Sequence, residues 1–95
     1  MSESLLHMVT LRHGPETCPA ARPDLQEKCG TALGRVPIDA PNFGARVVGY
    51  WADPPGHMFF AVIEAPNAHA ISNLFRSLEL SHWNTVEVRP VVSMS

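Results

Sequence analysis

Four short segments rich in branched and aromatic residues are separated by two stretches with helical spacing, in the order β-α-β-β-α-β, and few folds accommodate that order. Leu5 to His13 (LLHMVTLRH) reads as the first strand, stopped by Gly14-Pro15. From Pro23 to Val36, the residues Leu25, Cys29, Ala32, Leu33 and Val36 fall on one helical stripe, with Pro23 near the first helical position and Asp24 in the first turn. Gly30 and Gly34 each weaken that helix by about 1 kcal/mol relative to alanine, so packing has to hold it. Residues 37–44, with two prolines, read as a loop. Arg46 to Trp51 (RVVGYW) is a second strand and Asp53-Pro54-Pro55-Gly56 a turn. His57 to Ala65 (HMFFAVIEA) is a third strand, apolar on both faces and therefore central. Asn67 caps a second helix that buries Ile71, Leu74, Phe75 and Leu78. Trp83 to Val92 (WNTVEVRPVV) is the fourth strand, and Pro90, with no N–H to donate, favours an edge.

The pattern predicts one α+β domain over residues 1–95 with ferredoxin-like topology: a four-stranded antiparallel sheet of order 4-1-3-2. Both crossovers are right-handed, so both helices lie on one face of the sheet. The other face is left bare, and its strands carry Val, Phe, Tyr and Met without an alternation of charge. A chain of 95 residues buries only about 60–65% of its unfolded surface. The expected cover for the bare face is the same face of a second copy, giving a two-fold homodimer.

Composition narrows the partners. The formal charge is -2 and the seven Lys and Arg residues are scattered, which gives no footprint for nucleic acid or an anionic membrane. No apolar run approaches the roughly 20 residues that span a bilayer. The opening Met1-Ser2-Glu3-Ser4 lacks the basic region of a secretory signal, so the expectation is a cytoplasmic protein with Cys18 and Cys29 reduced.

Topology also predicts where chemistry collects. The first two strands end at the edge of the sheet where the last two begin. His13 and the loop Gly14-Pro15-Glu16-Thr17-Cys18-Pro19 lie there, with Trp51, Asp53, His57 and His82-Trp83. The first and third strands are antiparallel neighbours, so His13 and His57 stand side by side, with Cβ atoms about 4.5–5.5 Å apart. Two imidazoles so placed can share a divalent transition metal, with Cys18, Glu16 or His82 as a third ligand: Zn or Cu with thiolate, Fe or Ni with carboxylate. The same residues could instead serve as an acid/base pair, with Cys18 as nucleophile. No HxH, HExxH or CxxC motif is present. Tyr50, Trp51, Phe59, Phe60 and Trp83 line a hydrophobic pocket or pack a dimer seam. Cys29 reads as a core residue, His69 as solvated and His7 as a satisfied strand histidine. Glu64, Arg12 and Arg89 are candidates for cross-strand ion pairs.

Val48-Gly49-Tyr50-Trp51, Phe60-Ala61-Val62-Ile63-Glu64-Ala65, Trp83 and Val86-Glu87-Val88-Arg89-Pro90-Val91, with Val9-Thr10-Leu11-Arg12-His13 before Pro15-Glu16, resemble the DUF3303-type small proteins of the dimeric α/β-barrel superfamily. That resemblance implies the fold and the dimer. The superfamily includes cofactor-free monooxygenases, haem-degrading enzymes, isomerases, dehydratases and regulatory proteins, but no motif of those enzymes matches here, so none of their residues carries over.

Two functional classes follow. One is a small dimeric enzyme with a His-based, metal-capable site acting on a small molecule. The other is a non-catalytic ligand-binding or oligomerisation module. A cofactor-free monooxygenase, needing a roomy apolar cavity near Trp51 and Phe59, is a third possibility.

Overall fold

The computed structural model describes residues 5–18 and 23–94, with no description of the Leu25 side chain. Met1 to Ser4, Pro19 and the Leu25 position of the predicted stripe therefore lie outside the described residues. Strand β1 (Leu5–Arg12) runs antiparallel between β3 (Met58–Ala65) and β4 (Thr85–Val91), and β2 (Arg46–Asp53) pairs with the far side of β3. The order β2-β3-β1-β4, with α1 (Pro23–Asp39) and α2 (Ala68–Ser77) as crossovers, is the expected ferredoxin-like α+β arrangement.

The strand period of two decides which residues reach the helices. His7, Val9 and Leu11 of β1 are buried while Met8 and Arg12 are exposed, and Ala61, Ile63 and Ala65 of β3 repeat the pattern. These side chains form one core with Val36 of α1, with Ile71, Leu74 and Phe75 of α2, and with Leu80. Burying a side chain the size of Leu or Phe contributes about 1.5–3 kcal/mol. The Asn67 side chain accepts the Ala70 N–H at 2.9 Å and caps α2 as its sequence requires, while Leu78 serves as the C-cap and not as a helical residue.

Several boundaries differ from the sequence reading. Helix α1 runs past Pro37 to Asp39 and continues as a 3-10 turn, Ala40–Phe43, where a loop is expected. Pro37 has no N–H for the Leu33 carbonyl one turn back, and the Tyr50 hydroxyl donates to that carbonyl instead, at 3.1 Å. A strand side chain thus takes over the bond that proline removes, and the helix survives. Burial there pushes the Tyr50 hydroxyl up to about 12. Strand β1 stops at Arg12 and β3 starts at Met58, so His13 and His57 sit just beyond the ladder, joined by a His13 N–H···O=C His57 bond of 3.1 Å. Trp83 and Asn84 precede β4, while β2 runs on to Asp53.

The uncovered sheet face carries ion pairs beside its apolar residues. Arg46 pairs with Glu64 across β2 and β3, and Arg89 lies 3.5 Å from Glu87 on its own strand. Glu64 therefore pairs with Arg46, not with Arg12 or Arg89. A bulge between Val47 and Gly49 shifts the register of β2, and the Trp51 ring lies over Gly49, where any Cβ would collide with it. Among the described residues no helix is long and apolar enough to cross a membrane.

Candidate metal centre

Two short turns bring the site together. Gly14 to Cys18 folds as a 3-10 turn, with Thr17 N–H on the Gly14 carbonyl (3.2 Å) and Cys18 N–H on the Pro15 carbonyl (3.3 Å), which carries Cys18 back toward His13. On the neighbouring hairpin, His57 N–H closes the turn onto the Pro54 carbonyl at 3.1 Å, and Gly56 N–H bonds the Asp53 carboxylate. His57 takes φ +54°, left-handed backbone for which glycine is the default residue. A histidine held there stores strain of order 1 kcal/mol or more.

The result is a three-residue cluster. A ring nitrogen of His13, a ring nitrogen of His57 and Cys18 Sγ all lie within 4.8 Å of one another. The imidazoles meet edge to face with centroids 5.2 Å apart. His13 Nε2 and His57 Nδ1 are buried and, among the described residues, have no hydrogen-bond partner. Donors around a tetrahedral zinc, at about 2.0–2.3 Å from the ion, stand roughly 3.3–3.8 Å apart. Closing the cluster onto an ion therefore needs movements of about 1 Å.

Beside the cluster opens a cleft of about 380 Å³ between α1 and the end of the sheet. Leu33, Met58, Phe59 and Pro54 make its apolar walls, and Gln26 and Asp53 are polar members of its lining. Cys29 also reaches it from α1, where burial pushes its thiol up despite the opposing pull of Lys28. The other side of His13 is packed by Trp83 (centroids 5.1 Å) and Phe59 (5.9 Å).

The expected site residues separate accordingly. His13, His57 and Cys18 come together, and Phe59 lines their cleft. His82 is placed elsewhere: its turn, Leu80–His82, points it outward beside Glu79 at 3.8 Å, with its side chain 63% exposed. Glu16 is exposed, its carboxylate lying back over Gly14. Trp83 packs His13 from a separate small cavity shared with His82. Tyr50 and Trp51 border a shallow depression at the β2 edge, with Phe59 at its base. Asn84 was not foreseen. It is buried, its Oδ1 lies 3.0 Å from His13 Nδ1, and its Nδ2 donates to the Leu80 carbonyl at 3.0 Å.

Comparison with known proteins adds the family. No curated protein matches the chain. Among solved structures, a Burkholderia cenocepacia protein described as an amidohydrolase/peptidase aligns with 95% of this chain at 20% identity and a TM-score of 0.44. The alignment takes in 28% of that protein, and a likeness this weak carries no argument about activity. The profile of the family described as "Domain of unknown function (DUF3303)" covers residues 8–95, and the chain belongs to that family.

Proposed function

We propose that His13, Cys18 and His57 hold a transition-metal ion whose remaining coordination position faces a small, largely apolar molecule in the adjoining cleft. The observation that carries this reading is the pair of buried, unpartnered ring nitrogens, His13 Nε2 and His57 Nδ1, beside a thiol. Each unpaired buried polar atom costs about 1–3 kcal/mol, and an ion bound by both offsets that cost. A thiolate with two imidazoles suits Zn or Cu better than Ni or Fe. Such an ion supplies Lewis acidity toward a ligand oxygen or a bound water. The apolar walls of the cleft, Leu33, Met58 and Phe59, favour an apolar substrate body. A reducing compartment such as the cytoplasm keeps Cys18 available as a ligand.

Elemental mass spectrometry of the untagged protein, with Zn(II) titrations of the wild type, His13→Ala, His57→Ala and Cys18→Ser, tests this. The expected result is about one metal per chain, with affinity at least about 10-fold weaker in each variant. If the wild type takes up no Zn, Cu, Ni or Fe(II), the metal reading fails, and a metal-free pocket or a cofactor-free oxygenase takes its place.

We also propose that the open sheet face pairs with a second copy of the chain. Met8 and Trp51 are exposed there, with Phe60 and Val62 between them and the ion pairs Arg46–Glu64 and Glu87–Arg89 outside, an apolar centre with a charged rim. Sedimentation should show a dimer that Met8→Asp dissociates, and a wild-type monomer would end this proposal.

A further inference from the structure

We infer that Asn84 is a positioning residue that holds His13 in the Nδ1–H tautomer, so that Nε2 presents a lone pair and the site takes an electron-pair acceptor, a borderline or soft divalent cation. The choice of ligand rests on the metal reading above. The tautomer does not.

The Leu80 carbonyl can only accept, and Leu80 itself is fully buried, so its position is fixed by the core. Two donors meet it: the Asn84 backbone N–H at 3.1 Å and the Asn84 side chain at 3.0 Å. The side-chain atom there must be Nδ2, because turning the amide over would set Oδ1 against the carbonyl, acceptor against acceptor. With Nδ2 committed to Leu80, Oδ1 is the atom that faces His13 Nδ1 at 3.0 Å. Oδ1 can only accept, so Nδ1 must carry the proton. In a neutral imidazole the lone pair then belongs to Nε2, the atom found buried without a partner.

The Asn84–Leu80 contact is local, and the Asn84–His13 contact spans the chain. Asn84 lies 71 residues from His13, in the loop that the buried Leu80 anchors before β4. Trp83, next to it, packs on the His13 ring at 5.1 Å and stops it from turning over. Amide and indole together fix both the proton and the plane of the ring. This is the arrangement by which a second layer of hydrogen bonds orients a metal-ligating histidine and raises its basicity. A merely structural asparagine would satisfy Leu80 just as well without His13.

The test uses metal-free protein and Zn(II). Long-range 15N–1H correlation spectra of the wild type should show His13 with a protonated Nδ1 and an unprotonated Nε2. Asn84→Asp keeps an acceptor for Nδ1–H and should keep both that signature and Zn(II) affinity, while losing the bond to Leu80. Asn84→Leu removes the acceptor, and should mix the tautomers and weaken Zn(II) about 10- to 100-fold. A wild-type His13 protonated on Nε2 overturns the inference even if metal binds. So does Asn84→Leu binding Zn(II) as tightly as wild type, and if that variant fails to fold, the wild-type spectrum and Asn84→Asp decide. Wild type that shows the Nδ1–H signature yet binds no metal sinks the metal reading and leaves the positioning role standing.

Discussion

His7 and His13 leave β1 on the same face, one near each end, and they show two uses of one side chain. His7 is 1% exposed, and its Nδ1 is bonded at 2.9 Å to the Leu5 carbonyl of its own strand. It pairs with Ile63 on one side and Pro90 on the other across the ladders. His13 takes its hydrogen bond from a distant side chain and leaves the other nitrogen unpaired beside a cleft. Burial alone therefore does not separate a structural histidine from a functional one. What sets His13 apart is a second buried nitrogen without a partner among the described residues, at the edge of a cleft.

The sharpest test of that contrast exchanges the two losses. His13→Ala should lower Zn(II) affinity by about 100-fold or more and cost about 1–3 kcal/mol, since the buried Asn84 Oδ1 loses its donor. His7→Ala should leave Zn(II) affinity within about 3-fold but cost about 2–4 kcal/mol, lowering Tm by more than about 10 °C in a domain this small. Calorimetric titration and thermal denaturation of both variants read the pair. Equal effects of the two substitutions on metal affinity would erase the distinction.

Tyr50 extends the structural class. Its pKa is raised in the folded state to about 12, above the ordinary value of 10. The folded chain thus holds the proton more tightly than the unfolded one. That contribution is complete below pH 10 and is lost as pH rises toward about 12. Denaturant midpoints should therefore fall over that window in the wild type. Tyr50→Phe should flatten the fall and cost about 1–2 kcal/mol at neutral pH, because the Leu33 carbonyl opposite Pro37 loses its donor.

The smallest effect belongs to the functional class. His57→Gly relieves the left-handed backbone at 57 and should leave stability unchanged or raise it by about 1 kcal/mol, while abolishing tight metal binding. Substitution by alanine, which keeps the strain, should be less stable than the glycine variant. If glycine proves the more damaging, His57 is part of the core and the contrast with His7 weakens.

Much of this was legible in the chain. The element order fixed which strands are neighbours, and once β1 and β3 are antiparallel partners, His13 must meet His57. The Asn67 cap and the α2 stripe followed from local spacing. What the sequence concealed was set by contacts between distant segments. Pro37 reads as a helix end because its rescue comes from Tyr50, in another element. His82 reads as a rim histidine, yet Leu80 anchors its turn in the core and the helical step from 80 to 82 carries the imidazole outward. Asn84 resembles an ordinary loop residue, and its role depends on a carbonyl four residues back and an imidazole on another strand. The charged residues of the open face were in plain view, but the bulge in β2 hides which side each of its residues takes.

The strained turn at His57 has a consequence on the scale of descent. Backbone energetics there favour glycine, so a lineage that ceased to use the cleft would meet no resistance to losing the imidazole and some encouragement. Histidine at this position is stable under mutational drift only while something selects for it. Across relatives, the residue at the hairpin tip should then act as a marker, histidine accompanying cysteine at 18 and asparagine at 84 where the site is in service, and all three lapsing together where it has been abandoned.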